Sequence, residues 1–247
     1  MPDKPQLIVA LDVDTFDEAR ILIDSLASVV DIFKVGSQLF TACGPVVVRH
    51  VLARGKKVFL DLKYHDIPNT VANAVSAAVA LSASVHEVLD EKGKKKDAKQ
   101  GLFMMTVHIQ GGEEMLKMAV EAATKAAQDI KVTKPFLVGI TVLTSDEKTD
   151  NIRTLVLERA RLAKACGLDG VVASCEEAEF IRKEFGKDFL IVTPGIRPAG
   201  AQAQDQKRVA TPREAVLSGS DFLVVGRPVV KAANPLQAAK EILKEMG

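Results

Sequence analysis

The stretch VFLDLKYHDIPNT, residues 58–70, contains one strand candidate and leads into the helix candidate that follows it. Its first half, Val58–Lys63, is a short, mainly apolar run, and Asn69–Leu81 has the pattern of a helix. Strands that are rich in apolar residues on both faces are typical of buried parallel sheets. The stretch is therefore interpreted as one strand–helix unit of an α/β protein, and the number of such units predicts the fold.

The same unit repeats along the chain. Eight short segments rich in Val, Ile, Leu or Phe are strand candidates: Leu7–Val13, Ile32–Val35, Val58–Lys63, Phe103–Ile109, Phe136–Leu143, Gly170–Ser174, Phe189–Thr193 and Phe222–Val225. Eight helix-like segments alternate with them: Thr15–Ser28, Ser37–Ala53, Asn69–Leu81, Glu113–Ala127, Asn151–Cys166, Glu176–Phe185, Thr211–Ser218 and Pro235–Met246. This count predicts class α/β and a single (β/α)8 TIM barrel. A doubly wound open sheet is the alternative, but it usually has fewer strands and a GxGxxG turn after the first strand.

We expect one domain over residues 1–247, interrupted by a polar insertion at about residues 82–101. Within it, Asp90–Asp97 reads DEKGKKKD and is of mixed charge. Its lysines could bind an anion, but such a charge run favours a solvated surface segment. Because the insertion follows the third barrel helix, we expect it on the side opposite the strand carboxyl ends, away from the active site.

The composition excludes several classes of protein. Of the 247 residues, 47% are hydrophobic and 26% are charged, which excludes global disorder. The net charge of +1 favours neither nucleic acid nor a membrane surface as the main partner. Three cysteines without CxxC spacing indicate neither a disulfide framework nor a zinc site. The first apolar run, Leu7–Leu11, is too short for a signal peptide or a membrane span, so we expect a cytoplasmic protein.

Charged residues lie in or directly after the first three strand candidates. Asp12 ends the first strand, Lys34 lies in the second, and Asp61 and Lys63 end the third. Such charges are costly unless they are paired or functional, and barrel active sites lie at the carboxyl ends of the strands. A buried ion-pair network is the alternative, but the clustering at one end favours a catalytic site. With Asp66 in the next loop, carboxylates flank Lys63, which suits this lysine to proton donation rather than nucleophilic attack.

A phosphate site is predicted after the last two strands, because the loops there commonly hold phosphate in barrels. The segment TPGIR, residues 193–197, ends the seventh strand, and Gly226-Arg227 follows the eighth. Gly195 and Gly226 offer backbone N–H groups, and Arg227 offers a guanidinium that can bind two phosphate oxygens at once. The predicted barrel therefore has charged catalytic candidates at its first strands and an anion site at its last ones.

These segments resemble the orotidine 5′-phosphate decarboxylase family over the whole chain except Ser82–Gly101. The most specific match is DLKxHDIPNT at residues 61–70. The other matching segments follow in order at the strand ends: Ala10-Leu11-Asp12, Phe33-Lys34-Val35-Gly36, Thr106-Val107-His108, Leu143-Thr144-Ser145, Thr193-Pro194-Gly195-Ile196-Arg197, Asp205-Gln206-Lys207-Arg208 and Val225-Gly226-Arg227. The resemblance implies a (β/α)8 barrel that converts orotidine 5′-phosphate to uridine 5′-phosphate and CO2 in de novo pyrimidine biosynthesis, without a metal or an organic cofactor.

The resemblance also implies a catalytic tetrad of Lys34, Asp61, Lys63 and Asp66. Lys63 would protonate C6 of the pyrimidine in a direct decarboxylation, and Asp61 would lie close to the departing carboxylate. Lys34 would hold both Asp61 and the ribose hydroxyls of the substrate. Asp66 and Thr70 would reach into the partner's site, in a homodimer with its active sites at the interface.

The remaining substrate-binding residues follow from the same resemblance. They are Asp12 for the ribose, Thr144 for the pyrimidine edge, and Gln206, Gly226 and Arg227 for the phosphate, with Arg197 beside them. The segment 197–208 would close over the phosphate as a lid. It is short and rich in small residues.

Two other functions stay open at this point. One is a magnesium-dependent sugar-phosphate decarboxylase of the same superfamily, which shares the DxKxxD core. The segment Ile67–Thr70 and the lid residue Gln206 favour the nucleotide enzyme over it. The other is a nucleotide-binding protein without catalysis. The complete tetrad argues against this function, because buried charges without a role reduce stability.

Overall fold

The computed structural model describes residues 4–84, 88–89, 95–96, 101–142, 151–198 and 209–247. Within these residues, eight parallel strands close into a barrel and two short strands form a separate antiparallel pair. The strands are β1 (Gln6–Ala10), β2 (Ile32–Gly36), β3 (Lys57–Tyr64), β4 (Val88–Leu89), β5 (Lys95–Lys96), β6 (Met104–His108), β7 (Phe136–Ile140), β8 (Gly170–Val172), β9 (Leu190–Thr193) and β10 (Phe222–Val225). Around the barrel the order is β1, β2, β3, β6, β7, β8, β9, β10, and β10 pairs with β1. The predicted (β/α)8 barrel is confirmed.

The helices surround the barrel in chain order. They are α1 (Phe16–Leu26), α2 (Ser37–Cys43), α3 (Val46–Ala53), α4 (Pro68–Ala80), α5 (Gly112–Asp129), α6 (Ile152–Ala165), α7 (Cys175–Phe185), α8 (Pro212–Leu217), α9 (Arg227–Val230) and α10 (Pro235–Met246). Short 3-10 turns cover Leu81–Ser84 and Ile109–Gly111. Within the described residues, no helix is both long and apolar enough to cross a bilayer.

The single helix predicted over Ser37–Ala53 is wrong, because the structure has two helices there. α2 ends at Gly44, which has φ +63°, and α3 begins after Pro45. A positive φ is easily adopted by glycine, and proline has no N–H for a continuing helix. The short helix α9 was also not predicted, although Pro228 is typical of a first helical turn. Several strand ends also differ from the prediction by a few residues.

Apolar side chains alternate between two buried layers along the strands. In β1, Ile8 and Ala10 belong to the cluster inside the barrel, whereas Leu7 and Val9 pack in the layer between strands and helices. This alternation is the period of two that a strand imposes on its side chains. Apolar side chains therefore fill the interior of the barrel below the carboxyl ends of the strands.

The outer layer depends on the amphipathic helices. α1 has one apolar face, on which the side chains of Ala19, Leu22, Ile23 and Leu26 are buried. The predicted start of α8 is confirmed, because the hydroxyl of Thr211 accepts a hydrogen bond from the backbone N–H of Glu214. Such caps satisfy N–H groups that have no partner in the first turn of a helix.

Two carboxylates at the amino end of the barrel link neighbouring strands through ion pairs and hydrogen bonds. Asp169, directly before β8, accepts hydrogen bonds from Lys134 and from the backbone N–H of Leu137 in β7, both at 2.8 Å. Asp221, directly before β10, accepts hydrogen bonds from Arg182 at 2.6 Å and from the backbone N–H of Ile191 in β9 at 2.7 Å. This end of a barrel usually contributes to stability rather than to chemistry.

Most of the predicted insertion at residues 82–101 lies outside the described residues. Its described part includes the antiparallel pair of β4 and β5, in which Val88 is opposite Lys96 and Leu89 is opposite Lys95. Ser82 at its start is buried, and its hydroxyl accepts a hydrogen bond from the backbone N–H of Leu102 at 2.9 Å. The position of the insertion relative to the active site stays a prediction.

Candidate active site

A cleft opens at the carboxyl ends of the barrel strands. Its polar lining consists of Asp12, Lys34, Asp61, Lys63, Arg197 and Arg227, with Gly195 and Gly226 beside the two arginines. Its apolar lining includes Phe59, Ile140, Val142, Val172, Val192 and Val224. The cleft therefore combines several charged groups with walls of low polarity, where charges interact more strongly than in water.

Four charged side chains, one shortly after β1 and three on β2 and β3, form a continuous chain along one side of the cleft. Lys34 Nζ lies 3.4 Å from Asp12 Oδ1 and 3.5 Å from Asp61 Oδ2. Lys63 Nζ donates a hydrogen bond of 2.9 Å to the same oxygen of Asp61. Asp61 thus has an ammonium group on each side, and opposite charges alternate along the chain.

The carboxyl of Asp61 is held in its ionised form. Burial alone would raise its pKa, but the charges of Lys34 and Lys63 and the hydrogen bonds from Lys63 and Thr106 lower the pKa below its usual value. The residue is only 8% exposed. A buried carboxylate is therefore kept charged next to open space, an arrangement that is common where charge takes part in a reaction.

The backbone of β3 is irregular at this point. Leu60 pairs with Met105 and Tyr64 pairs with Val107, so the register shifts between them. Lys63 has φ +51°, in the left-handed region that residues other than glycine rarely adopt. The sequence predicts a regular strand in which alternation brings Asp61 and Lys63 to one side. Both do line the cleft, but a bulge and a strained residue set their relative position.

Thr106 was quoted in a motif but was not predicted as a site residue. It is fully buried on β6, and its hydroxyl donates a hydrogen bond of 3.0 Å to Asp61 Oδ1. The hydroxyl oxygen of Thr106 also accepts a hydrogen bond of 2.8 Å from the backbone N–H of Lys63. Alternation offered a signal, because Thr106 lies two residues after Met104, whose side chain points into the barrel.

The ends of β9 and β10 form the part of the cleft next to Asp12, because β10 pairs with β1. Gly195 has φ +80°, and Arg197 after it is 6% exposed. A Cβ atom on Gly226 would lie 2.9 Å from Asp12 Oδ2, so only glycine lets this turn approach the carboxylate so closely. The backbone N–H of Arg197 donates to the carbonyl of Ala210, which joins both ends of the predicted lid segment.

The sequence model of the family described as Orotidine 5′-phosphate decarboxylase / HUMPS matches residues 5–242. The chain belongs to this family. The orotidine 5′-phosphate decarboxylase of Syntrophomonas wolfei subsp. wolfei is 41% identical to it over 256 residues, which cover 100% of this chain and 99% of the relative. The orotidine 5′-phosphate decarboxylase of Geotalea daltonii is 45% identical over 251 residues, covering 98% of this chain and 96% of the relative.

A solved structure agrees with this assignment. The crystal structure of orotidine 5′-phosphate decarboxylase from Lactobacillus acidophilus matches with a TM-score of 0.78 and 34% identity, over 99% of this chain and 100% of that chain. The similarity therefore covers whole proteins, and the predicted family is confirmed.

The family motif DLKxHDIPNT is divided between two surfaces in this chain. Asp61 and Lys63 line the cleft, whereas Asp66 and Thr70 are exposed and do not. Asp66 Oδ1 accepts a hydrogen bond of 2.6 Å from the backbone N–H of Ile67, which is 67% exposed. One chain by itself does not bring the four predicted catalytic residues together.

Apart from the exposed Thr70, the predicted binding residues fall into two groups. Lys34, Asp12, Arg197, Gly226 and Arg227 line the cleft. Thr144 and Gln206 lie outside the described residues, as does most of the predicted lid.

Proposed function

We propose that this chain is an orotidine 5′-phosphate decarboxylase, a carboxy-lyase that releases CO2 from C6 of the pyrimidine and forms uridine 5′-phosphate in pyrimidine biosynthesis. The observation that carries the proposal is the contact of 2.9 Å between Lys63 Nζ and Asp61 Oδ2 inside the cleft of a chain that belongs to this family. We assign the ammonium to the protonation of C6 and the carboxylate to a place close to the departing carboxylate.

Lys63 stabilises the charge that develops on the substrate and then donates a proton. When the bond from C6 to the carboxylate breaks, its electron pair stays on C6 and CO2 leaves. A fixed ammonium beside C6 stabilises this carbanion with little reorganisation, and Nζ–H then protonates C6. The apolar walls at Ile140, Val172 and Val192 strengthen the interaction because they keep the effective dielectric constant low.

Asp61 and Lys34 hold Lys63 and the ribose in place. The ionised carboxylate of Asp61 lies between the two ammonium groups and close to the departing carboxylate of the substrate. Lys34 contacts Asp61 and Asp12, so it connects the reacting end of the cleft with the ribose hydroxyls that we assign to Asp12 and Lys34. The alternating charges thereby place each group without an unpaired buried charge.

The phosphate of the substrate binds at the side of the cleft that the ends of β9 and β10 form. Arg197, Gly226 and Arg227 line that side, and guanidinium groups bind phosphate oxygens strongly. We assign Gln206 to the phosphate and Thr144 to the pyrimidine edge on the family motif alone. Binding energy at this remote group can drive closure of the 197–208 segment and so accelerate the chemical step.

The functional unit is a homodimer in which Asp66 and Thr70 complete the partner's site. Support comes from their exposure away from their own cleft, beside an exposed Ile67. The proposed reaction needs no metal and no organic cofactor. The enzyme acts on a small molecule in the cytoplasm, and neither nucleic acid nor a membrane is a partner.

The ultraviolet absorbance of orotidine 5′-phosphate, followed in the presence of excess EDTA, tests the proposed activity. Conversion to uridine 5′-phosphate at an undiminished rate supports both the reaction and its independence of metal. If folded protein binds the nucleotide but does not convert it, the proposed activity is wrong. The chain is then a nucleotide-binding protein without catalysis. Activity on a sugar phosphate that EDTA abolishes and Mg²⁺ restores indicates the related sugar-phosphate enzyme instead.

The shared site is tested by mixing two inactive variants, Asp66→Ala and Lys63→Ala. Each heterodimer has one site without either substitution if Asp66 acts in the partner's cleft, so part of the activity returns. Heterodimers that form but remain inactive would mean that each site lies within one chain.

A further inference from the structure

Thr106 is the residue that faces the bulge in β3. Between the pairs Leu60–Met105 and Tyr64–Val107 lie Asp61, Leu62 and Lys63 on β3, but only Thr106 on β6. The extra residues of a bulge lose their regular ladder partners, so a buried N–H group among them needs another acceptor.

The hydroxyl of Thr106 binds both charged residues of the bulge. It accepts a hydrogen bond of 2.8 Å from the backbone N–H of Lys63 and donates one of 3.0 Å to Asp61 Oδ1. Thr106 has no exposed surface, so no bulk water can replace either bond. A hydroxyl has one proton to donate, and here that proton goes to the carboxylate.

These two hydrogen bonds hold both members of the ion pair between Lys63 and Asp61. One holds the main chain of Lys63, whose φ of +51° is strained for a residue with a side chain. The other holds one oxygen of Asp61, while the second oxygen binds Lys63 Nζ at 2.9 Å. The hydroxyl therefore closes a ring that runs from the Lys63 backbone through Asp61 to the Lys63 ammonium.

We propose that Thr106 is a positioning residue that fixes where the Lys63 ammonium lies in the cleft, by holding the bulge and the Asp61 carboxylate at the same time. The inference rests on the proposed roles of Lys63 and Asp61 in the reaction. Thr106 itself does not line the cleft, so it acts through these two residues and not on the substrate.

The test replaces the hydroxyl by groups that cannot form both bonds. Thr106→Val keeps the shape of the side chain, and Thr106→Ala removes the hydroxyl without adding a methyl group near Asp61. We expect kcat for orotidine 5′-phosphate to fall about 10- to 100-fold in both variants, with KM within about twofold, because substrate contacts are unchanged. Thr106→Ser keeps the hydroxyl, and we expect it to retain most of the activity.

Ser82→Ala is the matched control for lost stability. Ser82 is buried beside the other end of the strand that carries Thr106, and its hydroxyl accepts a backbone N–H from Leu102. This variant also loses one buried hydrogen bond to a backbone N–H, but it has no connection to the charged chain. We expect a lower thermal midpoint with kcat and its pH profile unchanged.

Titration of Asp61 by carbon NMR gives a readout that does not depend on turnover. The Thr106 hydroxyl is one of the groups that lower the pKa of Asp61, so we expect this pKa to be higher in Thr106→Val than in the wild type and in Ser82→Ala. A kcat and an Asp61 titration that match those of Ser82→Ala would overturn the inference. The proposed function fails separately, if the wild type lacks turnover or Lys63→Ala retains it.

Discussion

The two ends of the barrel both hold charged side chains, but they use them differently. At the amino end, Asp169 and Asp221 each bind one cationic side chain and one backbone N–H of the adjacent strand. At the carboxyl end, Asp61 binds two ammonium groups beside an open cleft, and one of them belongs to the strained Lys63.

This difference separates stability from function in one molecule. The amino-end carboxylates complete the hydrogen bonding of strands β7 to β10, so their charges are satisfied within the chain. The carboxyl-end groups hold like and unlike charges close together and keep a lysine in a rare conformation, which costs stability. Such costs are typical of sites that bind or transform a ligand.

Lys63→Ala has the largest expected effect. We expect the rate of decarboxylation to fall by roughly 10³-fold or more, because the group that stabilises and protonates C6 is lost. Binding of the product nucleotide should remain, since the arginine side of the cleft is intact. Lys134→Ala is the matched control at the amino end, where Nζ binds Asp169 at 2.8 Å, and it should keep full activity. A variant at Lys63 that keeps substantial turnover would contradict the assignment.

Asp221→Ala should have the opposite effect to Lys63→Ala: it should lower stability and leave activity nearly unchanged. The substitution removes the carboxylate that pairs with Arg182 and accepts the backbone N–H of Ile191, while Arg182 keeps its hydrogen bonds to the carbonyls of Gly219 and Phe189. We expect the free energy of unfolding to fall by about 2–4 kcal/mol, as measured by urea denaturation, because both groups are partly buried. The kcat of the folded fraction should stay within about twofold of the wild type. A large loss of kcat without a loss of stability would mean that the two ends are not separate in function.

Arg227→Ala should weaken binding more than chemistry. The guanidinium lines the cleft at the end of β10, on the side that we assign to phosphate. We expect KM to rise about 10- to 100-fold, since a charge-assisted contact to phosphate is lost. The control is Arg161→Ala on the outer surface, where the guanidinium pairs with Glu184. An unchanged KM in Arg227→Ala would remove the phosphate assignment.

Asp31→Asn has the smallest expected effect. A hydrogen bond from Lys56 holds the pKa of Asp31 below its usual value of 3.8, although burial opposes the shift. A lowered pKa in the folded state means that the stabilisation is fully present above pH 3.8 and is lost as the pH falls through the folded-state pKa. Because the Asp31 side chain is 72% exposed, we expect a loss of no more than about 1 kcal/mol at pH 7.

Denaturation of the wild type and Asp31→Asn at pH 7 and in acid tests the direction of the Asp31 pKa shift. The difference in unfolding free energy between the two proteins should shrink towards zero as the pH falls. A difference that grows in acid would contradict the assignment of a lowered pKa.

The sequence alone determined the fold and most of the charged chain. Alternating strand and helix patterns predicted the eight-stranded barrel, since period-two and period-3.6 patterns depend on neighbouring residues in the sequence. The carboxyl-end rule then placed Asp12, Lys34, Asp61 and Lys63 together, because parallel strands end on the same side. The break at Gly44-Pro45 was also readable from the sequence, although the helix prediction passed over it.

Only the tertiary structure decided how these groups are held. The bulge in β3, the left-handed Lys63 and the role of Thr106 depend on which residues of β6 lie opposite β3. Likewise, the exposure of Asp66 and Thr70 depends on how α4 leaves the barrel. A strand register is set by contacts between segments far apart in the chain, here about 40 residues, so local sequence patterns do not contain it.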